Sequence, residues 1–147
     1  MIINKSLENA DFVLDCSVTM AWCFEDEVTE YTDNVFDSLM KNKAIVPSLW
    51  SLEVANVLLC AQRKKRINKI KILEFKDSLA QLPISIEYTN THKAMSSIME
   101  LAEETNLSIY DATYLELALS NSLPLATLDK DLQKAAKKMD IYLYNPK

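Results

Sequence analysis

The sequence contains no glycine in its 147 residues. Glycine-rich phosphate loops and dinucleotide-binding fingerprints both require glycine where the backbone approaches a phosphate group. The absence of glycine therefore excludes these two classes of nucleotide-binding motif.

Histidine is almost as scarce, since His92 is the single example. One histidine excludes RNA cleavage by a pair of histidines acting as acid and base, and it excludes a histidine-rich zinc site. A lone histidine at the start of a helical stretch is most often a solvated surface residue, and we expect this for His92. Any chemistry must then use carboxylates, hydroxyl groups, lysine or cysteine.

The composition predicts one folded domain over residues 1–147, because the chain is 49% hydrophobic and of ordinary domain length. The three cysteines, Cys16, Cys23 and Cys60, are odd in number and lack metal-binding spacing, so we expect buried free thiols in a reducing compartment. We expect no signal peptide and no membrane span, which predicts a cytoplasmic location. The formal charge of −5 argues against coating nucleic acid by bulk charge but allows a local basic patch.

Short apolar runs alternate with helical patterns along the chain. We predict strands at 11–15, 44–47, 84–88, 123–127 and 141–144, and helices at 16–24, 27–41, 48–65, 69–81, 90–104, 108–120 and 132–138. This alternation is typical of α/β proteins. It predicts a central, mainly parallel twisted sheet of about four to five strands with helices on both faces.

Four acidic residues stand where such a fold places its sites. Asp15 and Asp129 follow apolar strands, and ligands bind outside the carboxyl ends of parallel strands. Asp111 follows Ser108 in the pattern of a capping box, and Glu53 lies on an otherwise apolar helix, where an unpaired acid is costly. Considered one at a time, Asp111 is more simply interpreted as a helix-cap residue, and Asp129 as a turn or cap residue, than as a metal ligand. The set of four favours a site for a hard cation, Mg²⁺ or Mn²⁺.

Three segments resemble the motif blocks of PIN domains, and in particular the VapC-like toxins of bacterial toxin–antitoxin pairs. They are FVLDCSVTMAWCF at 12–24, VPSLWSLEVANVLL at 46–59 and SIYDATYLELALSNSLPLATLDKDL at 108–132. The resemblance covers nearly the whole chain, with the blocks in the family's order. One departure is Asn106, where relatives often carry glycine; asparagine also enters left-handed conformations.

The resemblance implies a single PIN-like domain that is a metal-dependent endoribonuclease, cleaving phosphodiester bonds in transfer or ribosomal RNA with the aid of Mg²⁺ or Mn²⁺. The acidic tetrad that it carries over, both catalytic and metal-binding, is Asp15, Glu53, Asp111 and Asp129. Thr127 matches a small hydroxyl in the same pocket, and Asn56 matches an amide that would orient Glu53. Ser17 is expected to support the same site.

The resemblance also implies partners. We expect a VapB-like antitoxin to bind in the groove between the helix at 27–41 and the helical pair at 48–81, near the active site. DNA would be contacted only through the antitoxin. The chain itself is expected to form a homodimer or a higher toxin–antitoxin assembly.

Candidate RNA contacts are less specific. The run RKKRINKIK at 63–71 is the densest positive stretch, and it gives Arg63, Lys64, Lys65 and Arg66 as candidate phosphate contacts. The alternative is a solvated turn between helices. Four aromatic residues are expected to pack in the core, with contact to RNA bases or the antitoxin as the alternative: Trp22, Phe24, Trp50 and Tyr110.

Two other classes of protein remain open on the sequence. A non-catalytic acidic binding module, either an inactive PIN domain or a receiver-like domain, would carry the same acids. An aspartyl-phosphate phosphotransferase opens with D-x-D-x-T, which residues 15–19, DCSVT, imitate with Ser17 in place of the second aspartate. That replacement removes the acid/base group of such enzymes.

Overall fold

Four short strands form the centre of the fold in the computed structural model, which describes residues 10–146. The strands are β1 (Phe12–Leu14), β2 (Ala44–Pro47), β3 (Ile84–Glu87) and β4 (Leu125–Ala126). They pair in parallel in the order β3-β2-β1-β4. Val13 lies opposite Ile45 on one side and Leu125 on the other. The parallel α/β sheet predicted from the sequence is therefore confirmed.

Helices surround this sheet. In chain order they are α1 (Cys16–Ala21), α2 (Glu30–Ser38), α3 (Leu49–Arg63), α4 (Lys69–Ala80), α5 (Thr91–Lys93), α6 (Met99–Thr105), α7 (Ile109–Asn121) and α8 (Lys130–Lys138). A 3-10 turn at Glu25–Glu27 precedes α2, and a π-helical stretch at Ala94–Ile98 joins α5 to α6. Within the described range, each helix is too short or too polar to cross a membrane.

The two central strands are buried on both faces. Every residue of β1 and β2 is buried, and successive side chains of a strand point to opposite faces. Helices must therefore cover both sides of the sheet, as parallel sheets require. The largest side chain that the described chain buries completely is Tyr114, on α7.

The strand order changes direction between β1 and β4. The sheet grows from β1 through β2 to β3 on one side, and β4 then joins β1 on the other side. Open α/β sheets bind their ligands outside the carboxyl ends of the strands at such a point. Asp15 directly follows β1 and Asp129 lies just beyond β4, so the topology places both acids beside this crevice.

The last predicted strand, 141–144, is reduced to a single bridge between Leu143 and Leu125. Two backbone hydrogen bonds fix it, from Leu125 N to Tyr142 O at 2.9 Å and from Tyr144 N to Leu125 O at 2.8 Å. The Tyr144 ring stacks on Phe12 with the ring centroids 3.9 Å apart. Two backbone hydrogen bonds and the stacked Tyr144 ring, rather than a continuous strand ladder, therefore hold this segment.

Two other local predictions need correction. Helix α2 begins at Glu30 rather than 27, because Thr29 and Thr32 form a reciprocal capping box there. All three cysteines are free, but of these only Cys16 is buried, while Cys60 is exposed on α3.

Two expectations about single residues agree with the structure. His92 is exposed, as expected for a lone histidine of this kind. Asn106 ends α6 in the left-handed conformation, with φ 59° and ψ 29°. Left-handed residues commonly terminate helices, and asparagine is the usual substitute for glycine in this place.

Candidate active site

Five carboxylates line one cavity beside the carboxyl ends of β1 and β4. The cavity has a volume of about 480 Å³, and its lining residues are Asp15, Cys16, Ser17, Met20, Phe24, Glu27, Glu53, Val57, Arg66, Asp111, Leu128 and Asp129. The four acids of the predicted tetrad thus come together from four separate elements of the chain. Glu27 is a fifth acid in the lining, and the sequence reasoning did not single it out.

Asp15 is the most deeply buried of the four acids, with 6% of its surface exposed. Its Oδ2 accepts hydrogen bonds from Ser17 Oγ at 2.6 Å and from Thr127 Oγ1 at 2.7 Å. Burial raises the pKa of Asp15, and these two hydroxyl groups act in the opposite direction because they stabilise the charged form. Both hydroxyls donate to Oδ2 and neither donates to Oδ1. The carboxylate is therefore oriented through one of its two oxygens.

Ser17 and Thr127 also join the ends of β1 and β4. Ser17 Oγ accepts from Leu128 N at 2.9 Å, and Thr127 Oγ1 accepts from Asp129 N at 3.0 Å. Each hydroxyl therefore donates to Asp15 and accepts from the loop that leads to Asp129. The two predicted supporting residues set the position of one acid relative to the other.

Glu53 reaches the cavity from α3 and is held by a residue that the sequence reasoning missed. Tyr114 Oη donates to Glu53 Oε1 at 2.6 Å. Asn56, which was expected to orient Glu53, is exposed instead, and its Oδ1 accepts a long contact from Cys60 Sγ at 3.8 Å. Although Asn56 is one turn from Glu53, its side chain is directed to solvent. Tyr114, rather than Asn56, therefore makes the hydrogen bond that orients Glu53.

Asp111 and Asp129 lie at helix N-termini as well as in the cavity. Ser108 Oγ caps α7 by accepting from Asp111 N at 3.1 Å. Asp129 caps α8, and its Oδ1 accepts from Leu132 N at 2.9 Å. The capping interpretation is therefore correct for Asp129, and Asp111 stands in the first turn that Ser108 caps. Neither position prevents the carboxylate from lining the cavity.

The acids raise one another's pKa. Burial is the largest cause of the raised pKa of Glu53, followed among the raising effects by the charges of Asp15 and Asp111. Burial again comes first for the raised pKa of Asp111, followed by the charges of Asp129 and Asp15. Burial, with the charges of Glu53 and Asp15, raises the pKa of the Cys16 thiol to about 12. Cys16 therefore stays protonated at neutral pH and is not a thiolate nucleophile.

The donor atoms of this cavity suit a hard cation. Within residues 10–146, no three side chains of His, Cys, Asp or Glu stand close enough together to hold one ion directly. Mg²⁺ does not require that, because it keeps several waters and is commonly bound through one or two carboxylates. Carboxylate oxygens are the ligands that Mg²⁺ and Mn²⁺ prefer. The residues present therefore fit such an ion.

Of the four predicted RNA-contacting residues, Arg66 is the one that reaches the cavity. Its Nη2 lies 2.8 Å from Asp26 Oδ1 and 3.1 Å from Glu27 Oε2. Its guanidinium carbon lies 4.0 Å from the centre of the Phe24 ring. The other three are exposed at the end of α3 and in the following turn, and they do not line the cavity: Arg63, Lys64 and Lys65.

The candidate aromatic residues divide into packed and exposed side chains. Trp50 Nε1 donates to Thr19 Oγ1 at 3.0 Å, and Trp22 Nε1 donates to Thr32 O at 2.8 Å. Phe24 is buried beneath Arg66. Tyr110 is 66% exposed and immediately precedes Asp111. Core packing therefore accounts for Trp50 and Phe24, whereas Tyr110 is free to contact a ligand.

A family model and several solved structures match this chain. The model of the PIN domain matches residues 12–138. PAE2754 from Pyrobaculum aerophilum has a similar fold, with a TM-score of 0.65, 21% identity and 86% of each chain covered. FitAcB from Neisseria gonorrhoeae has a TM-score of 0.63 and 18% identity over 92% of this chain and 97% of that chain.

A third similar structure is VapBC2 from Rickettsia felis, solved with a DNA fragment from its promoter. Its TM-score is 0.61, with 16% identity over 92% of this chain and 98% of that chain. At these identities the structures show a shared fold. No curated protein matches the sequence. Because the family model spans most of the chain, this α/β domain belongs to the PIN domain family.

Without metal, Asp111→Asn should be at least as stable as the wild type at pH 7, because it removes one of the mutually repelling charges. The pKa of Asp111 is raised in the folded state. Its destabilising effect is therefore absent below the ordinary pKa of 3.8, grows as the pH rises above it, and is complete above the folded-state pKa. Thermal melts in EDTA from pH 3 to pH 7 should show the advantage of the variant disappearing at low pH.

The matched control for this prediction is Asp33→Asn, which removes an exposed acid from the first turn of α2 and does not line the acidic cavity. If Asp111 served only to complement the helix dipole, its loss would instead destabilise the protein by about 0.3–1 kcal/mol. A variant less stable than the wild type by that amount at pH 7 would contradict the repulsion argument.

Proposed function

We propose that this chain is a Mg²⁺- or Mn²⁺-dependent endoribonuclease and acts as the toxin of a cytoplasmic toxin–antitoxin pair. The observation that carries the proposal is the set of four carboxylates around one cavity in a PIN domain. The fold likeness to FitAcB and VapBC2 supports the toxin assignment. Transfer RNA or ribosomal RNA is the proposed substrate.

The residues in and around the cavity have two proposed roles, which are cation binding and orientation of a cation-binding carboxylate. One or two of Asp15, Glu53 and Asp111 would bind the cation directly and the remainder through its water molecules, and Asp129 would act directly or through water. When bound, the cation lowers the pKa of a water molecule and stabilises negative charge on the attacked phosphate. Ser17 and Thr127 keep Asp15 oriented through their hydrogen bonds, so the direction of this carboxylate does not depend on the ion.

Asp15→Asn and Asp111→Asn should each lower Mn²⁺-dependent cleavage of a mixed RNA pool at least about a hundredfold, because losing a ligand charge removes several kcal/mol of transition-state stabilisation. Cleavage is measured on gels, with and without EDTA. In thermal melts, Mn²⁺ at a hundredfold excess over its dissociation constant should stabilise the wild type by about 2.7 kcal/mol and the variants much less.

Asp33→Asn is again the control and should cleave RNA like the wild type, because Asp33 does not line the cavity. Cleavage that persists in EDTA, or in Asp15→Asn, would overturn the nuclease proposal. Mn²⁺ binding without RNA cleavage would favour the non-catalytic binding module, and phosphoprotein formation on Asp15 would favour the phosphotransferase.

Arg66 is the proposed contact to an RNA phosphate near the acidic cavity. It is exposed, and its ion pairs with Asp26 and Glu27 lie at the surface, where such pairs contribute little stability. Exchanging a carboxylate for an RNA phosphate would therefore cost little. The exposed ring of Tyr110 is the proposed stacking surface for a neighbouring base.

Arg66→Ala should raise the KM for RNA and leave kcat nearly unchanged, because a phosphate contact positions the strand without taking part in bond cleavage. The log–log dependence of RNA affinity on salt concentration should lose about one unit of slope. Lys43→Ala is the matched control, since Lys43 is exposed just before β2, at the opposite end of the sheet. Equal salt slopes for Arg66→Ala and the wild type would exclude this contact.

An antitoxin is the proposed partner for the outer surface of α2, α3 and α4. Leu52 on α3 is 74% exposed, and Ile70 and Leu73 on α4 are 68% and 58% exposed, so α3 and α4 present apolar side chains to solvent. An amphipathic segment of a partner would cover such a surface. Leu52 is adjacent to Glu53, so a bound antitoxin would lie beside the cavity, where a basic side chain would neutralise its charge.

Leu73→Glu should prevent co-purification with the antitoxin encoded beside this gene, because it places a charge in the apolar contact. Met99→Glu is the control, since Met99 is 53% exposed on the separate helix α6. Light scattering of the wild-type complex reports its mass and hence whether the toxin is a homodimer within it. A complex that survives Leu73→Glu, or that cleaves RNA as fast as the free protein, would contradict this assignment.

A further inference from the structure

A partly buried hydrogen bond connects the helices that carry Glu53 and Asp111. Tyr114 has no exposed surface and lies on α7, three residues after Asp111. Its hydroxyl donates to Glu53 Oε1 at 2.6 Å, across a separation of 61 residues in the chain. Two acids that line the cavity are therefore joined, through Tyr114, by one contact between α7 and α3.

The length of this bond and the burial of the phenol make it a directional constraint. A distance of 2.6 Å is typical of a hydroxyl group that donates to a carboxylate, and such bonds are stronger than neutral ones. A buried tyrosine hydroxyl needs a partner, because leaving it unpaired costs free energy. Glu53 is partly buried on a helix whose neighbouring residues are apolar, so its own choice of partners is limited. Each group thus holds the other in place.

The bond engages only one oxygen of the carboxylate. Tyr114 contacts Oε1 of Glu53, in the same way as Ser17 and Thr127 both contact Oδ2 of Asp15. In both cases a neutral hydroxyl fixes the direction of the acid without cancelling its charge. A lysine or arginine in that place would compete with a cation for the carboxylate.

We infer that Tyr114 is a positioning residue, which holds Glu53 directed into the acidic cavity through the hydrogen bond to Oε1. This inference rests on the proposed function, since it concerns the readiness of Glu53 to bind Mg²⁺ or Mn²⁺. The alternative is that Tyr114 only fills the core, in which case its ring matters and its hydroxyl does not.

The test is Tyr114→Phe, which keeps the ring and removes the hydroxyl. Mn²⁺ affinity, measured by calorimetry, should fall by about ten- to a hundredfold, the usual effect of losing a hydrogen bond to a metal ligand. In RNA cleavage kcat should fall while the KM for RNA stays the same. A merely structural role would leave both quantities unchanged in the folded variant.

The matched control is Tyr31→Phe, which makes the same substitution at a partly buried tyrosine. The Tyr31 hydroxyl donates to Tyr144 O at 2.8 Å, and neither residue lines the acidic cavity. This variant should bind Mn²⁺ like the wild type. In a Glu53→Gln background, Tyr114→Phe should cause no further loss of Mn²⁺ affinity, because Tyr114 acts through Glu53.

The outcomes separate this inference from the proposed function. A wild type that neither binds Mn²⁺ nor cleaves RNA overturns both. A wild type that binds Mn²⁺, with Tyr114→Phe binding it equally well, overturns the inference alone. If Tyr114→Phe does not fold, a crystal structure of the Mn²⁺-bound wild type decides: the hydrogen bond from Tyr114 to Glu53 must persist, and its absence overturns the inference.

Discussion

The burial of carboxylates close to one another around one cavity is the constraint that the surrounding structure has to satisfy. Asp15, Glu53 and Asp111 all have a raised pKa because burial and neighbouring acids disfavour their charged forms. Such an arrangement lowers the stability of the metal-free protein. The fold must therefore hold these acids in place against a force that pushes them apart and favours their protonation.

The protein meets this constraint with neutral donors. Ser17 and Thr127 donate to Asp15, Tyr114 donates to Glu53, and the backbone of Leu132 donates to Asp129. None of these groups carries a positive charge, so each acid is oriented while its negative charge remains. The negative charge that makes the cavity costly to form is also the charge that would attract the proposed cation. The one basic residue in the lining, Arg66, is paired with Asp26 and Glu27 rather than with an acid of the tetrad.

The positions of the four acids follow from the topology of the sheet. β4 lies beside β1, so the residues that follow these two strands meet at one edge of the sheet. The helices α3 and α7 bring Glu53 and Asp111 to the same edge. Asp129 both caps α8 and lines the cavity, which shows that a capping role and a place in the site are compatible. The structure thus bears out the cap for that residue, and the role of Asp129 in cation binding remains a proposal.

The alternation of strands and helices could be predicted from the sequence alone, because it depends on local periodicity. Strand ends indicated Asp15 and Asp129, while the motif blocks carried the resemblance to PIN domains and, with it, the full set of four acids. The sequence also indicated Ser17 and Thr127. It did not find Tyr114, and it assigned the orientation of Glu53 to Asn56. A hydrogen bond across 61 residues depends on how α7 packs against α3, which no local pattern encodes.

Packing between distant elements also explains the other differences between the sequence-based predictions and the structure. The sequence did not distinguish among the four basic residues at 63–66 as RNA contacts. In the structure, Arg66 is the one of these four that lines the cavity. The segment at 141–144 has the pattern of a strand, but it makes a single bridge and packs through the Tyr144 ring. The direction of a side chain and its contacts with distant elements depend on how the helices pack against the sheet. The tertiary structure alone therefore decided which residues hydrogen-bond to the acids.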